Sequence, residues 1–392
     1  MRAAPFSSEE REFMRRALRL AARGRGRVEP NPLVGAVFVR DGRVVAEGYH
    51  RRCGEAHAEV NAIRAARGSL AGTTLYVTLE PCNHFGQTPP CTQALLDAKV
   101  ARVVAAMGDP DPRVCGRGFD RLRRAGLRVE LGLCAAEAGE LAAAYLTRAC
   151  LRRPYVTLKW AQSIDGKLAT TRGQSHWISG EAARRLVHRL RAASDAILVG
   201  IGTVLHDDPQ LTARGVPIRR VATRIILDSQ LRTPPAAQVV RTARQIPTLI
   251  LTSATSVESH ARRAAELMRS GVQIESCRMR AGHIDLRDAL RQLAKRRMTN
   301  VLVEAGSRVL SAFLDAKLAD EAYVFIAPRL LGGANAPTAW GGRGAGDLAE
   351  TETVRTVSIR KIGDDICWRL RLTPIPTPRK SPIGQPGRTI AR

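Results

Sequence analysis

HAEVNA at 57–62 and EPCNHFGQTPPC at 80–91 decide how the first part of this chain is read. His57, Cys82 and Cys91 offer one imidazole and two thiols, a donor set suited to tetrahedral zinc with one position left open. Glu59 stands two residues from a ligand without being one, so its carboxylate is free to take a proton from a water in that position. Taken singly, a histidine at a helix start or a cysteine in an α/β protein is more often a cap or a core residue. Together with Glu59 they point to a metal site. His57 and Cys91 are each predicted to open a helix, where the N-terminal field favours a thiolate, and Cys82 is predicted to end a strand.

Working outward, the first part alternates strands and helices. A helix near 8–23, with Ser7 or Ser8 as N-cap and Phe13, Ala17, Leu20 and Ala21 on one face, leads into VGAVFVR (34–40). Asp41-Gly42 then turns the chain into VVAEGYH (44–50), a predicted β-hairpin. Helices near 57–67, 91–98, 117–125 and 135–149 separate the strands 73–80, 101–107 and 127–132, which implies a layered α/β sheet. Arg152-Arg153-Pro154 marks a boundary, and a second α/β series opens at YVTLKWA (155–161). Strands are expected at 196–200, 223–228, 248–253, 272–276, 300–306, 323–328 and 366–372, with helices near 180–193, 284–297 and 308–318. The expected organisation is a first domain over 1–150, a second over 151–374, and a Pro- and Arg-rich disordered tail over 375–392. No internal repeat is present.

The formal net charge is +26, and 55 of the 62 basic residues are arginine. The arginines are scattered and aromatics make up 4%, which offers few stacking platforms for single strands, so no specific nucleic-acid partner is expected. The excess suits the attraction of anionic small molecules. No apolar run is long enough for a membrane span, and the N-terminus lacks the apolar core of a signal peptide. Eight cysteines without a secretory signal argue against a disulfide framework and for the cytoplasm. A zinc deaminase acting on tRNA or single-stranded DNA through its basic surface is the alternative reading.

The two cysteines, separated by eight residues and ending in TPPC, differ in spacing from the Pro-Cys-x-x-Cys of cytidine and tRNA deaminases. With PNPLVG (30–35) and EGYH (47–50) it resembles the deaminase half of the bifunctional enzymes of bacterial riboflavin biosynthesis. The stretches SIDGKLAT (163–170), QSHWISG (174–180), LRAASDAILVGIGTVLHDDPQLTAR (190–214), LDS (227–229), VEAGSRVLSAFL (303–314) and APRLLGG (327–333) resemble the reductase half, in the same order. The resemblance implies an α/β protein with a cytidine-deaminase-like three-layer N-terminal domain followed by a dihydrofolate-reductase-like C-terminal domain. It implies zinc and NADPH as cofactors, phosphoribosylaminopyrimidine substrates, and a homo-oligomer.

By the same resemblance, Asn31 and His50 lie beside the substrate, although Asn31 also reads as a turn residue between prolines. His84 is either a pocket residue or a surface one. Ala161, Trp177, Thr203, Asp207 and Ser229 would touch the cofactor. Ser175, Arg191, Leu211, Arg214 and Glu304 would hold the substrate, the two arginines suiting its phosphate. Lys159 would reach the ribose oxygens or stand as a flanking lysine, and one of Asp207 and Asp208, which precede Pro209, reads equally as a turn or cap residue. No GxGxxG is present, so the cofactor's pyrophosphate is expected on Gly306, Ser307, Arg308, Val309, Leu310, Ser311 and Ala312, where a strand turns into a helix. The chain departs from the family pattern at Gln87, where a basic residue is usual, and at Ala305, where a second glycine is common.

Overall fold

The computed structural model describes residues 6–377 apart from positions 87, 343 and 352. Gln87 and most of the expected tail therefore lie outside the described residues. The chain divides into two compact units, Met1–Leu151 with the residues from Ile375 onward, and Arg152–Pro374. Ile375, which begins the tail in the sequence reading, packs on the core of the first unit.

In the first unit, α1 (Ser8–Ala22) starts at Ser7 through a capping box. The Ser7 hydroxyl accepts from Glu10 N at 3.1 Å, and Ser7 N donates to the Glu10 carboxylate at 2.9 Å. The predicted hairpin forms as β1 (Gly35–Arg40) and β2 (Arg43–Tyr49), antiparallel around Asp41-Gly42. There follow α2 (Ala58–Ala65), β3 (Thr74–Val77), α3 (Cys91–Asp97), β4 (Arg102–Ala105), α4 (Arg117–Arg124), β5 (Arg128–Leu131) and α5 (Ala135–Leu151). The sheet order is β2-β1-β3-β4-β5, with the last three strands parallel. Met14 and Ala17 of α1 pack with Ala142 and Leu146 of α5 on one face. Ala58 and Ala62 of α2, Leu95 of α3 and Phe119 and Leu122 of α4 pack on the other, which makes three layers.

Strand β3 ends at Val77, so Cys82 does not end a strand as expected but lies in the loop beyond it. The reason is Glu80, whose buried carboxylate accepts from the backbone N–H groups of Asp109, Gly116, Gly118 and Phe119 at 2.9 to 3.4 Å. These bonds turn the chain away from the sheet ladder just before Pro81.

The second unit contains β6 (Tyr155–Ser163), α6 (Glu181–Arg191), β7 (Ala196–Gly200), α7 (Ile201–Asp207), β8 (Thr223–Leu227), α8 (Gln238–Arg241) and β9 (Thr248–Thr252). It continues with α9 (Ala254–Ser259), α10 (Ala261–Arg269), β10 (Gln273–Ser276), the short pair β11 (Met279–Arg280) and β12 (His283–Ile284), and α11 (Leu286–Lys295). The last elements are β13 (Asn300–Val303), α12 (Ser307–Asp315), β14 (Glu321–Ala327), β15 (Arg355–Ile362) and β16 (Asp365–Arg371). The large sheet has the order β10-β9-β8-β7-β13-β6-β14-β16-β15. It is parallel from β10 to β14, and β16 and β15 continue it antiparallel. The interior parallel strands read as apolar runs such as AILVG and TLILT because both faces are covered. Helices α7 to α10 and strand β15 are additions to the sequence reading. Four of them are short or polar, and β15 (RTVSIRKI) is an exposed edge strand without a buried face to impose a pattern.

Helix α2 is fixed by a close approach to the sheet. A Cβ on Gly48 of β2 would stand 2.4 Å from Ala62 N and 2.8 Å from Ala58 O. Gly48→Ala should therefore push α2 away and cost about 1–3 kcal/mol by overpacking. Thermal unfolding should show a lower first transition, and the zinc content of the purified variant should fall with it. An unchanged melting curve would mean that the contact tolerates a methyl group.

Candidate active sites

The chain path brings the predicted donors together. His57 is the N-cap of α2, Cys91 is the first residue of α3, and Cys82 sits in the loop after β3. Their donor atoms all lie within 4.8 Å of one another. His57 Nδ1 is 3.3 Å from Cys91 Sγ and 3.5 Å from Cys82 Sγ. Ligands on a tetrahedral zinc with ordinary Zn–N and Zn–S bonds stand roughly 3.6 Å apart, so the three fit that ion as placed. Cys91 N donates to Cys82 Sγ at 3.4 Å, and this short helix start faces the sulfur. The Cys82 thiol is pulled down to about 4, by the hydrogen bond from Cys91 Sγ first and by His57 as well. The Cys91 thiol is pushed up, because it is the proton-bearing partner of that bond.

Glu59, on the first turn of α2, is 2% exposed, and its Oε2 has no hydrogen-bond partner among the described residues. Burial raises its carboxyl to about 7. A carboxyl of this kind exchanges a proton readily near neutral pH. Asn31 and His50 form one unit beside it. His50 Nδ1 donates to Ala56 O at 3.1 Å, so Nε2 accepts from Asn31 Nδ2 at 3.2 Å, and a single neutral tautomer meets both contacts. Burial holds the pKa of His50 below the usual imidazole range. The His50 ring also stands edge-on to His57, with centroids 5.3 Å apart. The loop residue His84 buries an Nδ1 that has no partner among the described residues.

In the second unit, Lys159, Glu304 and Arg191 meet at the end of β13. The register pairs Val303 with Leu158, so Glu304 follows alongside Lys159. Arg191, the last residue of α6, clasps Glu304 with Nε at 2.6 Å and Nη2 at 3.0 Å, and donates Nη1 to Thr212 O at 3.1 Å. Glu304 is shifted down despite its burial, by Arg191 and then by Lys159. Lys159 is shifted down by burial, against the pull of Glu304. Arg214 is exposed, and among the described residues its guanidinium bonds the neutral oxygens of Gln210 at 2.6 Å and Thr212 at 3.0 Å.

A cavity of about 480 Å³ is lined by Gly173, Gln174, Ser175, His176, His206 and Asp207, two of which are expected contacts. Asp208, by contrast, is committed to α8: it accepts from Gln238 N and Nε2, each at 2.7 Å. Trp177 is exposed, with the Arg184 guanidinium 4.7 Å over its ring. The side chain of Leu211 is in the core, and its φ of 52° leaves only the backbone to face a ligand. Ala161 lies on β6, paired in register with Phe325, and Ser229 O accepts from the hydroxyls of Ser253 and Ser256. Thr203 rides on α7, which begins after Gly200, and a Cβ on Gly200 would stand 2.8 Å from Val309. That contact sets α7 beside the 306–312 segment. Gly306 caps α12 without a side-chain bond, and open space lies where its Cβ would be, which suits a dinucleotide pyrophosphate. Ala305 does not adopt a positive φ, so a glycine is not required there. Glu80 and His188 escaped the sequence reading. The signal for His188 was its spacing of three from Arg191, which places both on one helix face.

Fold and sites together define a zinc-dependent deaminase joined to a pyridine-nucleotide reductase. Residues 7–107 match the model of the cytidine and deoxycytidylate deaminase zinc-binding region, and residues 154–368 match that of the RibD C-terminal domain. The riboflavin biosynthesis protein RibD of Aquifex aeolicus is 41% identical over 91% of this chain and 97% of its own length. That of Escherichia coli is 42% identical over 92% and 99%. An Acinetobacter baumannii RibD structure superimposes with a TM-score of 0.81 at 36% identity, covering 93% of this chain and 99% of that one. A Thermotoga maritima deaminase/reductase does so with 0.80 at 35%, over 93% and 99%.

The chain belongs to the RibD family: it is a bifunctional enzyme of riboflavin biosynthesis, with zinc serving the deaminase and NADPH the reductase. The dihydrofolate-reductase-like second domain and the deaminase-like first domain accord with the sequence reading.

Two substitutions separate metal binding from proton transfer. Cys82→Ser should lower bound zinc and destabilise the first unit. Glu59→Gln should keep one zinc per chain while deamination falls by about 10³-fold, within the range for loss of a general base. Elemental analysis with a deaminase assay checks both, and zinc loss in the Gln variant would make Glu59 a ligand.

Proposed function

We propose that the first unit deaminates 2,5-diamino-6-(5-phosphoribosylamino)pyrimidin-4(3H)-one. The second unit then uses NADPH to reduce the ribosyl group of the resulting 5-amino-6-(5-phosphoribosylamino)uracil to the ribitylamino product. The observation that carries this reading is the buried Glu59 carboxylate, whose Oε2 has no partner among the described residues, beside a complete three-donor set. The Thermotoga maritima relative is named a diaminohydroxyphosphoribosylaminopyrimidine deaminase and 5-amino-6-(5-phosphoribosylamino)uracil reductase, which supports the choice of substrates.

His57, Cys82 and Cys91 hold zinc, which when bound supplies the acidity that makes water nucleophilic at neutral pH. Glu59 takes one proton from the attacking water and passes it to the ring nitrogen, then takes the hydroxyl proton of the tetrahedral adduct and delivers it to the amino group, which leaves as ammonia. The Asn31 amide, oriented by His50, presents its oxygen to the pyrimidine edge.

In the second unit, NADPH supplies a hydride to C1′ of the opened ribose, and the protein's part is orientation and charge. Residues 306–312 take the pyrophosphate, with Ala161, Trp177, Thr203, Asp207 and Ser229 along the cofactor. Ser175 and the Leu211 backbone line the substrate path. Arg191 has three N–H groups bonded to protein, two of them to Glu304, so its first task is to aim that carboxylate beside Lys159 at the ribose oxygens. Arg214, exposed and without a carboxylate partner among the described residues, meets the substrate phosphate.

The two units correspond to the two activities. Among the described residues no helix is long and apolar enough to cross a membrane. Ile359, Ile366 and Trp368 share one face of the outermost hairpin, which supports a homo-oligomer; no specific nucleic-acid partner is invoked.

Arg214→Ala should raise KM for the aminouracil phosphate by about 10- to 100-fold, the worth of a charged hydrogen-bonded contact, with KM for NADPH unchanged. NADPH oxidation followed at 340 nm measures this. No NADPH consumption by zinc-loaded wild type with the deaminated product would remove the reductase assignment.

A further inference from the structure

The loop from Asp208 to Arg214 is pinned from behind at successive points. Gln238 holds Asp208 through two bonds of 2.7 Å. Arg224, fully buried on β8, holds Gln210 O at 3.3 Å and otherwise bonds only hydroxyls and carbonyls of α8, β9 and the turn between them. Past Gln210 the anchor passes to α6. Arg191 Nη1 donates to Thr212 O at 3.1 Å, while His188 Nδ1 lies 3.2 Å from Thr212 O and 3.2 Å from Arg214 N. One ring nitrogen cannot donate to the first and accept from the second at once. Thr212 O already has a donor in Arg191, and Arg214 N is an N–H that needs an acceptor. His188 Nδ1 is therefore the acceptor, and the ring carries its proton on Nε2.

We propose that neutral His188 is a positioning residue for the reductase reaction: its Nδ1 fixes the backbone at Arg214 and so aims that guanidinium at the anionic phosphate of the substrate. The proposal rests on the role given to Arg214 above. The charged groups that face the ring are Arg191 on its own helix, Arg214 in the loop, and Glu304 beyond β13. Burial first, then the two arginines, lower the pKa of His188 against the opposing pulls of the Thr212 carbonyl and Glu304, so the neutral form is the favoured one. Protonation at Nδ1 would set N–H against N–H and release Arg214.

Steady-state kinetics of the full-length zinc enzyme across a pH series test this with three variants. His188→Leu removes the acceptor and should raise KM for the aminouracil phosphate about tenfold at neutral pH, the scale of one lost hydrogen bond. Its kcat, its KM for NADPH and its deamination rate should stay close to wild type. His188→Asn can offer a carbonyl oxygen to Arg214 N–H and does not titrate. Its KM should stay within about twofold of wild type at neutral pH, the residual being less than one full hydrogen bond. On acidification the wild-type KM should climb more steeply than that of His188→Asn, since the substrate phosphate's own second ionisation near about pH 6 is common to both.

Parallel pH profiles for wild type and His188→Asn, or an unchanged KM in a folded His188→Leu, would overturn the proposal. Should the Leu variant fail to fold, the Asn profile still decides. An unchanged KM in Arg214→Ala would remove the role of Arg214 and this inference with it. A raised KM there with no effect of His188→Leu would remove this inference alone.

Discussion

Two sulfurs and an imidazole nitrogen crowded within 4.8 Å of one another cannot be an apolar core, and the first unit is built to force that crowding. Helix α2 is pressed so closely on β2 that only a glycine fits at position 48, which sets the height of His57 at the helix start. The buried carboxylate of Glu80 gathers four backbone N–H groups from the segment before and at the start of α4, which turns the chain into the Cys82 loop. A Cβ on Gly118 would stand 2.1 Å from Pro81 O, so that loop is braced from the far side as well. With each donor delivered by a different element, the site exists only when the whole layered sheet is formed. A divalent ion that binds all three stabilises that folded arrangement over the unfolded chain.

The second unit solves a different electrostatic problem. Lys159, Arg191 and Arg214 converge with Glu304, which leaves a cationic surplus suited to an anionic ligand. Like charges this close would drive the loop apart, so its shape is held by Gln238, by the buried Arg224 guanidinium through the Gln210 carbonyl, and by the neutral His188 ring. The arginine-rich composition is thus put to local use at this site, although most arginines lie on exposed positions elsewhere.

Much of this was legible in the sequence, for identifiable reasons. The metal donors follow from residue type and spacing, since few other arrangements suit one histidine and two cysteines around a free glutamate. The hairpin followed from Asp41-Gly42, where φ is 47° and 72°, and the parallel strands from unbroken apolar runs. Less legible were features set by tertiary contacts. Cys82 was placed at a strand end because TTLYVTLE alternates well, yet pairing stops once Glu80 finds its N–H partners. Strand β15 carries arginines and a lysine along an exposed edge and so reads as a loop. The pinning of Arg214 by His188 joins residues 26 apart and depends on a tautomer, which no local pattern encodes.

Zinc K-edge X-ray absorption on the purified chain probes the donor set directly. Two sulfurs at about 2.3 Å and two lighter atoms at about 2.0–2.1 Å are expected, the imidazole and one water. A zinc shell without sulfur, or one with four, would contradict the site.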